Sequence, residues 1–299
     1  MTDEQPVPPA EEQVPVCPRH PDRESYVRCQ RCGRPACPDC QRPAAVGIQC
    51  VDCVREGAKS VRQARTVFGG SVTDGRPLVT MTLIGACVVV FVLQQVVPGL
   101  TSRLLFVPVL GDVQPWRFVT SVFAHGGLLH IALNMYALWI MGQYLEPMLG
   151  RARFAALYAL AGFGGSVGLL LLASPPAGGV CTPGSAWCTG ALGASGAVFG
   201  LFGAFIVLQR RLNRSAAGMY VIIGINAVIG FVYPGIAWQA HLGGIVVGAA
   251  AGAVLAYLGR GRAEGPLGER RHLGWMHWAG LAGIAVLLLL VTAVRYLAA

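Results

Sequence analysis

The sequence predicts an all-α, polytopic membrane protein with a small cysteine-rich domain at its N-terminal end. Three observations predict it. Hydrophobic residues make up 54% of the 299 residues and charged residues only 12%. The charges leave seven apolar runs close to the roughly 20 residues that cross a hydrocarbon core. Seven of the ten cysteines crowd into residues 17–53, ahead of the first run.

Taken in order, the runs place helices near 78–97, 124–145, 153–174, 190–209, 217–233, 237–258 and 275–297. The short run at 217–233 is bounded by Gly and Pro. Arginines mark alternate connections: Arg151 and Arg153, then Arg210, Arg211 and Arg214, then Arg260, Arg262, Arg270 and Arg271. The N-terminal flank adds Arg55, Lys59, Arg62, Arg65 and Arg76, whereas the other loops carry only Arg103 and Arg117. The positive-inside rule then predicts a multi-pass protein of the cell membrane, N-terminus cytoplasmic and C-terminus external. These arginines account for much of the net charge of +9, so no nucleic-acid partner is called for. Residues 1–15 are acidic and Pro-rich, which predicts a disordered tail and no secretory signal.

Four ligand pairs stand in the head: Cys17 with His20, Cys29 with Cys32, Cys37 with Cys40, and Cys50 with Cys53. The two-residue gap lets both side chains of a pair reach one tetrahedral ion. A cytoplasmic location keeps thiols reduced, which favours two structural zinc ions over disulfides. The segment is too short for a large apolar core, so metal supplies much of its folding energy. The order of pairs resembles the B-box zinc fingers. That resemblance implies a cross-brace: Cys17, His20, Cys37 and Cys40 on one ion, Cys29, Cys32, Cys50 and Cys53 on the other. Sequential pairing is the alternative. The partner of such a head is not named by these residues. The chain thus divides into a tail (1–15), a B-box-type zinc-binding domain (16–54), a basic linker (55–77), a membrane core (78–260), and a cytoplasmic loop with a seventh transmembrane helix (261–299).

Inside the core, Gly193-Ala194-Ser195-Gly196 opens the fourth run and Ala240-His241-Leu242-Gly243-Gly244 the sixth. An ionisable residue in a membrane helix is a functional-site candidate by default. Ser195 and His241 each fall about one turn inside their runs, roughly 6–8 Å below the helix starts. His125, His130 and Asn134 fall near the start of the second run, at the same level. Gly196, Gly200 and Gly203 on one helix, and Gly244, Gly248 and Gly252 on another, line faces that allow backbones to approach. Taken alone, the serine motif reads as helix packing, with Ser195 bonded to its own backbone. His130 and Asn134 shift that reading. At i and i+4 they share a face and both offer donors, as an oxyanion hole requires. The plainer alternative makes Asn134 interhelical glue and His130 a satisfied core histidine.

The run Trp116-Arg117, His125, His130-x-x-x-Asn134, Gly193-x-Ser195-Gly196 and Ala240-His241-x-Gly243 resembles the rhomboid intramembrane serine proteases over about residues 76–260. The resemblance implies a six-helix core, with the seventh helix as in the extended form of that family. It implies Ser195 as nucleophile, His241 as general base, and His130, Asn134 and the Ser195 N–H as stabilisers of the oxyanion. The substrates it implies are transmembrane segments of other proteins, cut near the outer face of the bilayer. Trp116 and Arg117 fall in the structural first external loop. Where many rhomboids carry tyrosine four residues after the serine, this chain has Phe199. The ring that stacks on the histidine is kept and the hydroxyl is lost.

No Asp or Glu lies between Glu146 and Glu264. A Ser–His–Asp triad therefore has no acid available near either helix. The expected unit is a dyad without a catalytic metal, and Glu146 is expected to brace the helix packing. Cys181 and Cys188, in the external loop before Ser195, either form a disulfide or remain two free thiols. The rival reading is a catalytically inactive relative that binds membrane proteins for quality control; such proteins lose the serine or histidine, and both are present here.

Overall fold

The computed structural model describes residues 14–60, 66–70, 75–182, 184–233, 235–258, 260–264, 269–272 and 274–299. The chain forms two compact units, Met1–Gln63 and Ala64–Ala299.

The first unit is built from hairpins. Strand β1 (Val16–Cys17) pairs antiparallel with β2 (His20–Glu24), β3 (Gln41–Pro43) pairs with β4 (Ile48–Cys50), and helix α1 (Val51–Ser60) follows. Its buried cluster consists of Cys17, Cys29, Ala36, Cys37, Cys40, Cys50 and Cys53. Sulfur, not hydrocarbon, fills the centre. The helix runs on through Ser60, into the stretch read from sequence as linker from residue 55.

In the second unit, α2 (Leu78–Val96) leads into a loop holding two short helices, α3 (Leu100–Leu104) and α4 (Arg117–Thr120). Then come α5 (Leu128–Leu149), α6 (Arg151–Leu172), α7 (Ser195–Arg211), α8 (Ala217–Val232) and α9 (Trp238–Tyr257). A hairpin of β5 (Arg260–Glu264) and β6 (Glu269–His272) precedes α10 (Gly274–Leu297). The seven long helices coincide with the seven predicted runs. Helices α2, α6, α9 and α10 are each long and apolar enough to cross a membrane on their own. Helix α7 is shorter and ends in Arg210 and Arg211, and α5 carries His130, Asn134, Gln143 and Glu146.

Two helix starts differ from the sequence expectation. The second run was expected from 124 and begins at Leu128; the fourth was expected from 190 and begins at Ser195. In both cases a glycine-containing stretch ahead of the helix is held as loop. Ala191 forms a β-bridge with Phe106, and the Gly193 N–H donates to the Ser121 carbonyl. Ser195 is therefore the first residue of its helix and not a turn inside it.

Helix α6 is the centre of the bundle, with 61% of its apolar window buried, against 11% for α2 and α10. The outer helices turn residues such as Val89, Val92, Leu287 and Leu290 outward, as lipid solvation allows. Centrally, α6, α7 and α9 meet backbone to backbone. A Cβ added at Gly244 would collide with the Gly196 carbonyl, one at Gly248 with the Gly200 carbonyl, and one at Gly243 with the Gly164 carbonyl. Small residues replace the missing hydrophobic drive between helices in lipid with close van der Waals contact.

Polar side chains fasten the ends of these helices. Glu146, 2% exposed, accepts hydrogen bonds from the Val79 N–H (2.9 Å), the Thr80 N–H (2.8 Å) and the Thr80 hydroxyl (2.7 Å). It thereby satisfies orphan donors at the start of α2, as a carboxylate at a helix N-terminus does well. Arg153 donates to the Gly69 carbonyl (2.9 Å) and, through Nε, to His277 Nδ1 (3.1 Å). Phe68, 2% exposed, joins the core beside it. Part of the expected linker is thus docked in this unit, because Phe68 and the Gly69 carbonyl both find buried partners there.

Glu146→Ala should lower stability by about 2–4 kcal/mol, since it strands two N–H groups and a hydroxyl. Thermal unfolding in detergent checks this, with Glu146→Gln expected to lose less.

Candidate active site and metal clusters

Ser195 and His241 lie 46 residues apart, and the glycine contact between α7 and α9 brings them together. His241 Nε2 stands 2.9 Å from Ser195 Oγ. With the imidazole proton on Nδ1, Nε2 accepts the serine hydroxyl. Phe199 lies one turn along α7 and stacks on His241, ring centroids 4.2 Å apart and planes 5° from parallel. That stacking holds the imidazole flat against α7 while its edge faces the serine. The hydroxyl that tyrosine would add plays no part in the contact.

Gly193 makes the turn into α7. Its φ of +126° is a conformation that L side chains rarely adopt, and a Cβ there would lie 2.8 Å from the His130 ring. A side chain at 193 would therefore both strain the backbone and push His130 away. As the first helical residue, Ser195 offers an N–H with no carbonyl partner in its own helix. His130 Nδ1 accepts the Gly126 N–H at 3.3 Å, which leaves the proton on Nε2, the side toward Gly193. Asn134, 7% exposed, donates one amide N–H to the His130 carbonyl at 2.9 Å, leaving its second N–H for another acceptor.

His125, expected on the second helix, sits instead in the loop before α5 and is 1% exposed. Nδ1 donates to the Phe123 carbonyl (3.2 Å), and Nε2 accepts the Ala194 N–H (3.4 Å). It tethers the residue immediately before Ser195. The loop is fixed from the other side by Gln94, which accepts the His125 N–H and donates to the His125 carbonyl. Gln94 was not singled out from sequence; the Gln94-Gln95 pair at the end of an apolar run is the signal that was there. Nor were Gly164, Gly165 and Gly168 of α6, although their spacing repeats the motif seen on α7 and α9.

Ser195, His241, His130 and Asn134 share one cavity of about 940 Å³. Its further walls come from α5 and α8, including Leu133, Tyr136, Ile222 and Asn226. No Asp or Glu lines it, and Glu146 is occupied at Val79 and Thr80. Arg117 is buried in the first loop, donating to the Ser102 and Leu105 carbonyls and to Gln114, while Trp116 is exposed. Cys181 and Cys188 are joined as a disulfide.

In the head, the four ligand pairs meet as two clusters: Cys17, His20, Cys37 and Cys40, and Cys29, Cys32, Cys50 and Cys53. Sequential pairing, left open by the spacing, does not occur. His20 points Nδ1 at Cys37 (3.2 Å), Cys40 (3.4 Å) and Cys17 (3.9 Å), and Cys32 lies 3.8 Å from Cys50. A tetrahedron with metal–ligand bonds of about 2.3 Å to sulfur and 2.1 Å to nitrogen has edges of about 3.6–3.8 Å. The clusters fit one ion each. The Cys37 backbone N–H helps pull the Cys17 thiol down to about 6, whereas desolvation pushes Cys40 up to about 11. A cation at the centre favours the thiolate on all of them.

Residues 112–258 match the family model described as Rhomboid domain. The chain is 30% identical over 194 residues to Rhomboid protease GluP of Bacillus subtilis (strain 168), covering 61% of this chain and 36% of that protein. It is 34% identical over 147 residues to RHOMBOID-like protein 5 of Arabidopsis thaliana, covering 47% of this chain and 44% of the relative. Inactive RHOMBOID-like protein 8 of Arabidopsis thaliana is 31% identical over 139 residues, 44% of this chain and 35% of that one. The chain thus matches less than half the length of each of these relatives. The matches support the rhomboid family, which includes inactive members, and a multi-pass membrane protein.

Elemental analysis of the purified full-length chain should find two divalent ions per molecule. Replacing Cys37 and Cys40 together with serine should remove one ion and leave the other, because the clusters share no ligand. Loss of both ions at once would show that the clusters are not independent.

Proposed function

We propose that this chain is a rhomboid-type serine endopeptidase that cleaves transmembrane segments of other membrane proteins through a Ser195–His241 dyad. The observation that carries the reading is the 2.9 Å contact between Ser195 Oγ and His241 Nε2 in a cavity inside an apolar helical bundle. A half-buried serine hydroxyl aimed at an imidazole is the arrangement that activates a nucleophile.

His241 takes the Ser195 proton as Oγ attacks the scissile carbonyl, then passes it to the leaving amine. Water, activated by the same imidazole, hydrolyses the acyl-enzyme. The negative charge that develops on the carbonyl oxygen is met by the Ser195 N–H at the positive end of α7, by His130 Nε2–H and by the free Asn134 N–H. Phe199 limits the imidazole to rotation in its own plane. No carboxylate is required, since stacking takes over the orientation that an aspartate provides in a triad. A transmembrane helix hides its peptide bonds, so the substrate must unwind locally, and small or helix-breaking residues near the cut favour this.

The two head clusters are proposed to hold structural zinc, four ligands to each ion and no open position for water. With its basic connections facing the cytoplasm, the protein would sit in the cell membrane with its N-terminus inside and Ser195 near the outer face. The inactive-relative reading is the weaker one because nucleophile and base are both present and in contact.

Labelling with a fluorophosphonate, which reacts with activated serines, tests the dyad directly. The native chain should label; Ser195→Ala should not, and His241→Ala should fall to background together with cleavage of a model transmembrane substrate. Equal labelling of native and Ser195→Ala protein would overturn the assignment. Asn134→Ala should cost at most about 10²–10³ in rate without moving the cleavage position, because the remaining donors share the charge. Unaltered turnover would make Asn134 a packing residue only.

A further inference from the structure

The end of α10 is built into the loops that carry the site. Arg295 donates to the Ala173 carbonyl at 2.7 Å and, more weakly, to the Leu170 carbonyl at 3.4 Å, where α6 ends. Its guanidinium carbon stands 4.9 Å above the buried Trp187 ring. The neighbouring Tyr296 meets Trp187 edge-on, with ring centroids 6.2 Å apart, and its hydroxyl donates to the Pro108 carbonyl at 2.8 Å. Gly111 faces the Tyr296 hydroxyl so closely that any side chain there would displace it.

These contacts continue to the serine through backbone alone. The Val109 N–H donates to the Trp187 carbonyl (3.0 Å), Phe106 and Ala191 exchange two hydrogen bonds (2.9 and 2.8 Å), and the Gly193 N–H donates to Ser121 (2.9 Å). Trp187 lies eight residues before Ser195, and the Cys181–Cys188 disulfide closes the same stretch. A cation suits the place, since the carbonyl end of a helix is its negative pole. Stacking on an indole and a carbonyl contact together suit arginine better than lysine.

We infer that Arg295 and Tyr296 are positioning residues for the proposed protease: the last helix clamps Trp187 and Pro108 and so sets the placement of the Gly193–Ser195 turn. Arg295 and Tyr296 lie outside the segment 112–258 that matches the Rhomboid domain, whereas Trp187, which they hold, lies inside it. It rests on the reading of Ser195 as nucleophile. An anchor that only holds α10 against the bundle would lower thermal stability and leave the chemistry of folded molecules unchanged. A positioning role lowers kcat, because small displacements of a nucleophile cost much more in rate than in binding.

The test uses the full-length chain in detergent, with folded protein quantified by gel filtration and unfolding temperature. Per folded molecule, Arg295→Ala should lower kcat for a transmembrane substrate and the rate of fluorophosphonate labelling by about tenfold or more, with KM little changed. Arg295→Lys should recover part of both, as it keeps the charge but not the planar stack. Tyr296→Phe removes a single hydroxyl and should lower both rates about threefold to tenfold, with its unfolding temperature within a few degrees of native. This variant decides the matter if Arg295→Ala does not fold. Val294→Ala, on the exposed side of α10, should behave as the native chain. Native rates in Tyr296→Phe or in folded Arg295→Ala overturn the clamp. A native chain that neither labels nor cleaves fails at the dyad instead.

Discussion

The backbone contact between α7 and α9 is the constraint on which the rest of the membrane unit depends. The glycines at 196, 200, 244 and 248 remove every side chain that would hold the two helices apart. Only at that separation can a serine on one helix reach a histidine on the other. Helix α6 completes the seam through Gly164 and Gly168, so the pair is backed by backbone on its inner side. The remaining walls of the cavity come from α5 and α8, where the side chains are larger, such as Leu133, Tyr136 and Ile222.

The few polar side chains of this unit have a common task. A bundle in lipid can leave no backbone group unsatisfied, yet this one contains long irregular segments at both ends. Glu146 caps the start of α2, Arg117 gathers the carbonyls of the first loop, and His125 holds Ala194. Arg153 reaches the Gly69 carbonyl, and Arg295 the carbonyls that end α6. Each replaces water at a place where a helix stops. The geometry of the proposed site benefits because the loops that present Ser195 and His130 are thereby tied to helices.

The head solves a different problem with different material. It has too little apolar surface for a core, and its cysteines occupy the centre in place of hydrocarbon. Ligand pairs alternate along the chain, the first and third in one cluster and the second and fourth in the other, so the two clusters interlock one short segment without sharing a ligand. The surrounding arginines and aspartates form exposed pairs such as Arg19–Asp52, which contribute little by themselves.

Much of this was legible in the residues alone. Apolar length marked the seven long helices, ligand spacing marked the eight head residues, and the absence of acids between Glu146 and Glu264 pointed away from a triad. What tertiary structure decided was where helices truly begin and which groups meet. Ser195 became the first residue of α7 because Ala191 pairs with Phe106 and Gly193 with Ser121, contacts made far from it in sequence. His125 became a tether, Thr66–Gly70 a docked segment, and Arg295 a partner of the α6 end for the same reason. Composition and periodicity report what a segment needs from its surroundings, whether lipid, metal or a close neighbour. They do not report which neighbour supplies it, because that choice depends on surfaces brought together only when the helices pack.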